Sequence, residues 1–263
     1  MDLQLDGNAA IVTASSSGLG KASARALAAE GVNVVMNGRD EDRLAAAVED
    51  VREDATGEVV GQVGDLTDPD DITAIVEETV AEFGGIDHLV TSAGGPPSGP
   101  FMETEDEDWY EAFDLLVMSV VRLVRESADH LQADGGGTIV NITSRSVKEA
   151  IDGLVLSNSV RMSVIGLEKT LSKELAPDVR ANAVLPGTHE TPRIEELVEQ
   201  AVERGEYDSY EEGMEARSSG IPVGEVGQPM GLGRTVAFLS SPHSGYINGQ
   251  AVVLDGGAGA SNL

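Results

Sequence analysis

The chain has 263 residues, 41% of them hydrophobic and none of them cysteine, which allows a sizeable core and excludes a disulfide framework, a thiolate nucleophile and any Cys-ligated metal. Forty-six Asp and Glu against 17 Lys and Arg give a formal charge of −29, which repels nucleic acid and anionic membranes, so neither is expected as a partner. No apolar run approaches the roughly 20 residues that span a bilayer, and Met1 to Gln4 carries neither a basic region nor an apolar run, which predicts a soluble, cytoplasmic protein.

Along the chain, short apolar runs alternate with helical patterns. Ala9 to Thr13 reads as a buried strand, Gly18 to Glu30 as a helix stopped by Gly31, Asn33 to Met36 as a second strand and Glu41 to Val51 as a second helix. Further strands are expected at Val59 to Val63, Asp87 to Val90, Gly137 to Ile142, Ala181 to Leu185 and Gln250 to Leu254, with long helices over Asp106 to Leu131 and Val155 to Leu175. Strands and helices in alternation predict an α/β protein, a doubly wound parallel sheet of about seven strands with helices on both faces. No linker or repeat divides the chain, so 1–263 reads as one domain. The Glu-rich stretch Arg193 to Gly220 reads as a mobile helical lid above the sheet.

Thr13-Ala14-Ser15-Ser16-Ser17-Gly18-Leu19-Gly20 lies between the first strand and the first helix, where a parallel sheet sets a pyrophosphate against a helix N-terminus. Gly18 and Gly20 let the backbone approach phosphate, and the serines and free N–H groups can donate to it. Asn37-Gly38-Arg39 ends the second strand with no carboxylate to grip the ribose hydroxyls of NAD; Gly38 leaves room for a 2′-phosphate and Arg39 can meet it, which favours NADP(H) over NAD(H), unless Arg39 pairs with Asp40 or Glu41.

These residues, in this order, resemble the short-chain dehydrogenase/reductase family, whose turn has the form T-G-x-x-x-G-x-G; Ala14 stands for its first glycine. Asp65-Leu66-Thr67-Asp68 is similar to the segment flanking adenine, and Thr91-Ser92-Ala93-Gly94 to the N-N-A-G at the fourth strand. Asn182 to Pro186-Gly187, followed by Thr191, is similar to the segment passing the nicotinamide, and Gly249-Gln250 with Asp255-Gly256-Gly257 to the closing strand and turn. The resemblance runs from about residue 5 to 257 and implies a three-layer Rossmann fold, a homodimer or homotetramer, and hydride transfer between NADP(H) and a carbonyl or alcohol.

The family's catalytic residues are only partly present. Ser144 matches its serine, but 13 residues on stands Ser157 where the family has Tyr, and four further Arg161 where it has Lys; Leu116 takes the place of its Asn. Positions i and i+4 share a helix face, so Ser157 and Arg161 should point together at the cofactor. Ser157 either orders a water that delivers the proton or fills space, and Arg161 holds the nicotinamide ribose or a substrate anion. The pattern is similar to a divergent group likened to β-ketoacyl-acyl-carrier-protein reductases, with Ser-Asn-x-x-Arg for Tyr-x-x-x-Lys. Other proton candidates are His189, Tyr207 and Tyr210, while Arg145 and Lys148 are placed either to bind a substrate anion or to face solvent. The four His lack metal-ligand spacing, so no metal is expected. Two functions follow: an oxidoreductase, or a catalytically silent dinucleotide-binding sensor or partner subunit.

With only four lysines and dense acidic clusters such as Glu105-Asp106-Glu107-Asp108, the composition resembles that of proteins from salt-loving organisms, whose self-repulsion is screened by salt, the alternative being an ordinary acidic mesophile protein. The melting temperature should therefore climb steeply from low salt to molar KCl in a thermal scan; a flat profile would remove the halophile reading.

Overall fold

Alternating apolar strands and amphipathic helices condense into one parallel sheet. The computed structural model describes residues 1–133, 135–203 and 205–262, without the side chains at 193, 196, 197 and 200. In chain order the elements are β1 (Ala9–Val12), α1 (Gly18–Ala29), β2 (Asn33–Gly38), α2 (Glu41–Arg52), β3 (Val59–Val63), α3 (Pro69–Phe83), β4 (His88–Thr91) and α4 (Asp106–Phe113). They continue with α5 (Ser119–Leu131), β5 (Gly137–Ile142), α6 (Val155–Glu174), β6 (Val179–Pro186), α7 (Pro192–Glu203), α8 (Tyr210–Ser218), α9 (Pro229–Ser240) and β7 (Ala251–Leu254).

In the described residues the seven strands run in the order β3-β2-β1-β4-β5-β6-β7, each pair parallel. Winding outward from β1 to β3 and then back through β4 to β7 puts the crossover helices on opposite faces. One apolar cluster lies under α1, α2 and α9, with Leu27, Met36, Leu44 and Leu232 at 0–2% exposure, and a second under α3, α5 and α6, with Ile72, Leu89, Leu123 and Leu156 at 0–1%. The α/β architecture read from the sequence is thus the one found. Among the described residues no helix is long and apolar enough to cross a membrane.

Local chemistry sets most boundaries. Asp40 and Asp68 cap α2 and α3 by accepting the amides of Arg43 and Asp70, and Gly84, at φ +82°, ends α3. The expected helix over 106–131 is broken by a π turn at Asp114–Met118. Its wider turn puts Leu115 on the cleft described below while Leu116 and Val117 go into the core, and the Ser119 hydroxyl donates to the Leu115 carbonyl at 2.6 Å. The segment 193–220 contains α7 and α8, packed together where Gly213 meets Val198 and Tyr207, and anchored below by Gly227, whose amide donates to the Thr188 carbonyl at 3.0 Å; Arg204 lies outside the described residues.

Glu168, on the inner face of α6, is 1% exposed and its Oε1 has no hydrogen-bond partner. Burial pushes its carboxyl up to about 7. A raised carboxylate favours the fold while protonated, and that contribution fades as pH rises through the folded value. Glu168→Gln should accordingly stabilise the protein at pH 8 by on the order of 2 kcal/mol and leave it nearly unchanged at pH 4, as read from urea titrations at both pH values.

Candidate functional site

Where the winding reverses, between β1 and β4, the loops at the strand C-termini separate and leave a cleft of about 500 Å³. Its floor is the turn from β1 into α1. Ser16, Ser17, Gly18, Leu19 and Gly20 line it. Gly18 sits at φ +56°, and a Cβ on Gly20 would meet the Ala14 carbonyl at 2.5 Å, so one glycine serves conformation and the other the closure of the turn on itself. Ala14 is held at φ +46°, a left-handed conformation that costs an L-residue about 1–2 kcal/mol. Thr13 and Ser15, both 0% exposed, face inward. The Thr13 hydroxyl donates to the Ser92 carbonyl at 2.7 Å and accepts the Ser92 amide at 2.8 Å, while Ser15 Oγ donates to the Val12 carbonyl and accepts the Asn37 amide.

No side chain caps α1, and no acid stands in its first turn. In a chain with 46 acidic residues, and beside α2 and α3 with their aspartate caps, this leaves the positive end of α1 open to an anion. At the end of β2, Gly38 and Arg39 reach the same cleft, joined by Arg43, which the sequence reading passed over. Arg43 donates to Ser17 Oγ at 3.1 Å. Arg39 pairs with neither Asp40, which caps α2, nor Glu41; its guanidinium is 3.6 Å from Asp65 and 77% exposed, a weak contact that leaves it free to turn. The Thr67 amide, with the Thr67 hydroxyl and Arg39, holds the Asp65 carboxyl below its ordinary range despite partial burial. An uncapped helix end and two guanidiniums fit the phosphates of a dinucleotide. Asp65, Leu66, Ser92, Ala93, Gly94 and Thr191 complete the expected lining; Pro186 and Gly187 stand behind it, Gly187 packed against Asp255 and donating its amide to Leu254.

At the far end, Ser157 and Arg161 share the inner face of α6, both 8% exposed, and Arg161 reaches the cleft. Its guanidinium donates to the Thr143 and Gly94 carbonyls at 3.5 and 3.3 Å, and burial lowers its pKa to about 10, which keeps it charged at neutral pH. Ser144 Oγ accepts the Ser146 amide at 3.1 Å, and Ser146 Oγ lies 3.2 Å from Ser157 Oγ. Ser146, 3% exposed, therefore joins the two predicted serines, a link that sequence spacing did not reveal. Asn158 binds both the amide and the carbonyl of Ile151, at 3.1 and 2.9 Å, so the Asn beside Ser157 pins the loop onto α6.

The other proton candidates lie elsewhere. His189 lines a separate cavity of about 360 Å³ with Ile221 and Val223; its Nδ1 is 3.2 Å from the Gly187 carbonyl, and burial holds its pKa below the ordinary value. Tyr207 packs on Gly213, and neither it nor Tyr210 lines the cleft. Arg145 is 3.9 Å from Glu149, and Lys148 is exposed. Among the described residues no group of three His, Asp or Glu is placed to hold a metal.

A family profile described as "Enoyl-(Acyl carrier protein) reductase" matches residues 13–259. The chain is 32% identical over 256 residues to 3-oxoacyl-[acyl-carrier-protein] reductase FabG of Thermotoga maritima, covering 97% of this chain and 99% of that one. L-Sorbose reductase of Gluconobacter frateurii, solved with NADPH and L-sorbose, superposes with a TM-score of 0.94 at 30% identity, over 98% of each chain. Actinorhodin polyketide ketoreductase, solved with NADPH, gives 0.89 at 31% identity, over 96% of this chain and 97% of that one.

The strained turn provides a direct check. Ala14→Gly removes the left-handed penalty at the cost of some unfolded-chain entropy, and should stabilise the protein by about 0.5–1 kcal/mol in a thermal melt.

Proposed function

The chain belongs to the short-chain dehydrogenase/reductase family and is an NAD(P)-dependent oxidoreductase of carbonyl and alcohol groups, and from that premise we propose that it pairs NADP(H), in preference to NAD(H), with a carbonyl or alcohol substrate in the manner of a 3-oxoacyl-carrier-protein reductase. The observation that carries this reading is the continuity of the cleft, which runs from Arg39 and Arg43 past the uncapped start of α1 to Arg161. Bound there, the dinucleotide supplies or takes up the hydride.

The chain's own residues do the rest. Amides at the start of α1 hold the pyrophosphate, and Arg39 with Arg43 meets the 2′-phosphate as a charge-assisted pair. Ser144 already accepts the Ser146 amide, so its own O–H is available to a substrate oxygen. A serine hydroxyl is too weak an acid to give up a proton unaided, but the Ser146–Ser157 contact lets Ser157 donate to the forming alcohol oxygen while taking a proton from Ser146, which recovers one from water. Arg161 holds its proton at neutral pH and contributes a fixed charge. The exposed apolar side chains Tyr110 and Phe113 on α4 and Met162 on α6 support assembly into a homodimer or homotetramer.

Two measurements test this. Fluorescence titration should show NADPH binding at least about tenfold tighter than NADH, with the ratio lost in the Arg39→Ala/Arg43→Ala double variant; equal affinities in the parent protein would defeat the NADP(H) assignment. A panel of 3-oxoacyl esters, aldehydes, sugars and quinones with NADPH should then reveal turnover that Ser146→Ala and Ser157→Ala each slow by about ten- to a hundredfold, the two losses not adding in the double variant.

A further inference from the structure

Two loops start together on the cleft wall beside Arg161. One runs from Thr143 to the start of α6, the other from Gly94 and Gly95 to α4, and the Arg161 guanidinium donates to the carbonyls of Thr143 and Gly94. Beyond these roots neither loop is anchored in the apolar core. From Lys148 to Leu154 and from Gly94 to Thr104 no residue is buried, and Phe101 and Met102 are 64% and 87% exposed. Segments this poor in buried apolar contacts keep their shape through hydrogen bonds or open readily.

The hydrogen bonds converge on one side chain. Asn158, half-buried in the first turn of α6, donates from Nδ2 to the Ile151 carbonyl at 2.9 Å, and its Oδ1 accepts the Ile151 amide at 3.1 Å. Its amide group thus pairs with the backbone of Ile151 as a neighbouring strand would, which takes a donor and an acceptor side by side. Two residues further on, the Gly153 carbonyl accepts the Gly99 amide at 2.7 Å, and Gly99 forms a parallel bridge with Leu154. The end of the second loop is fastened to α4, where Trp109 Nε1 donates to Thr104 Oγ1 at 3.1 Å and the indole meets Phe101 edge to face. Asn158 therefore holds the first loop directly and the second through it.

Both loops belong to the end of the cleft where the candidate serines gather, with Ser144 and Ser146 at the start of the first loop and Ser157 just past its end. Asn158 itself does not line the cleft, and the start of α1, Arg39 and Arg43 are built on β1 and β2, away from both loops. We propose that Asn158 is a positioning residue for the substrate: by clasping Ile151 it makes 148–154 and 94–104 a single fixed wall that receives the substrate beside Ser144, while the dinucleotide binds independently of it. This rests on the reading of the cleft as the hydride-transfer site.

Hydrogen–deuterium exchange on the NADPH-bound protein checks the coupling without a substrate. Asn158→Ala, which removes two hydrogen bonds, should speed exchange about tenfold or more both in 148–154 and in 95–104, which Asn158 does not touch, with β1, α1 and β2 unchanged. Asn158→Asp keeps the acceptor for the Ile151 amide but has no donor for its carbonyl; it should show the same pattern more weakly, and serves if the Ala variant does not fold. With a carbonyl substrate from the panel above, Asn158→Ala should raise KM about tenfold and leave kcat and NADPH affinity within about threefold of the parent values. Gly99→Pro, which deletes the amide that joins the loops, should raise KM similarly, and the two losses should not add in the double variant. Faster exchange confined to 148–154, additive KM effects, or an equal weakening of substrate and NADPH overturns the proposal and leaves the cofactor reading standing. Failure of the parent protein to bind NADPH brings down the cofactor reading instead, and the proposal with it.

Discussion

The hydroxyl of Thr13 makes two short hydrogen bonds to the backbone of Ser92, and much of the molecule depends on them. They tie β1 to β4 at the place where the sheet changes its direction of winding. Ser15 and Asn37 do the same toward β2. Because this junction is fastened by side chains facing inward, the following residues are left to turn sharply and start α1 with its amides exposed. The cleft is therefore a consequence of topology, with polar inward ties keeping its floor in place.

Charge is distributed around that floor against the trend of the chain. Acids cap α2 and α3 and crowd the surface, yet the first turn of α1 has none, and among the described residues Asp65 is the sole acid on the cleft wall. Arg39, Arg43 and Arg161 face a common space. With a net charge of −29, a cleft lined this way is a local reversal of the protein's field, and it draws in anions that the rest of the surface repels.

At the Arg161 end of the cleft, the proposed site carries a hydroxyl and a guanidinium where the sequence resemblance leads one to expect a phenol and an ammonium, and the chemistry open to these groups differs accordingly. A guanidinium does not exchange protons near neutral pH, whereas it orients and neutralises planar anions well. Ser146 connects the other two serines, its amide donating to the Ser144 hydroxyl and its own hydroxyl lying 3.2 Å from that of Ser157, and its position is set by the turn after β5. The π turn at Asp114–Met118 carries Leu116 inward, so the neighbouring helix contributes apolar bulk on this side.

Helix and strand limits were legible in the sequence to within a residue or two for β3, β5, α1 and α2, because periodicity and glycine stops act within a few residues of where they are written. The glycine turn, Arg39 and the pairing of Ser157 with Arg161 on one helix face were legible for the same local reason. What each polar group meets was not. Tertiary structure alone decided that Thr13 and Ser15 face inward, that Arg39 lies against Asp65, that Ser146 bridges toward Ser157 and that His189 turns to another cavity. It also decided that Arg180 is met by four backbone carbonyls while the buried Nε of Arg161 has no partner among the described residues. These outcomes depend on chain segments that return from dozens of residues away, and a partner's distance is set by how sheet, loop and helix pack together, a quantity that no local pattern of residues contains.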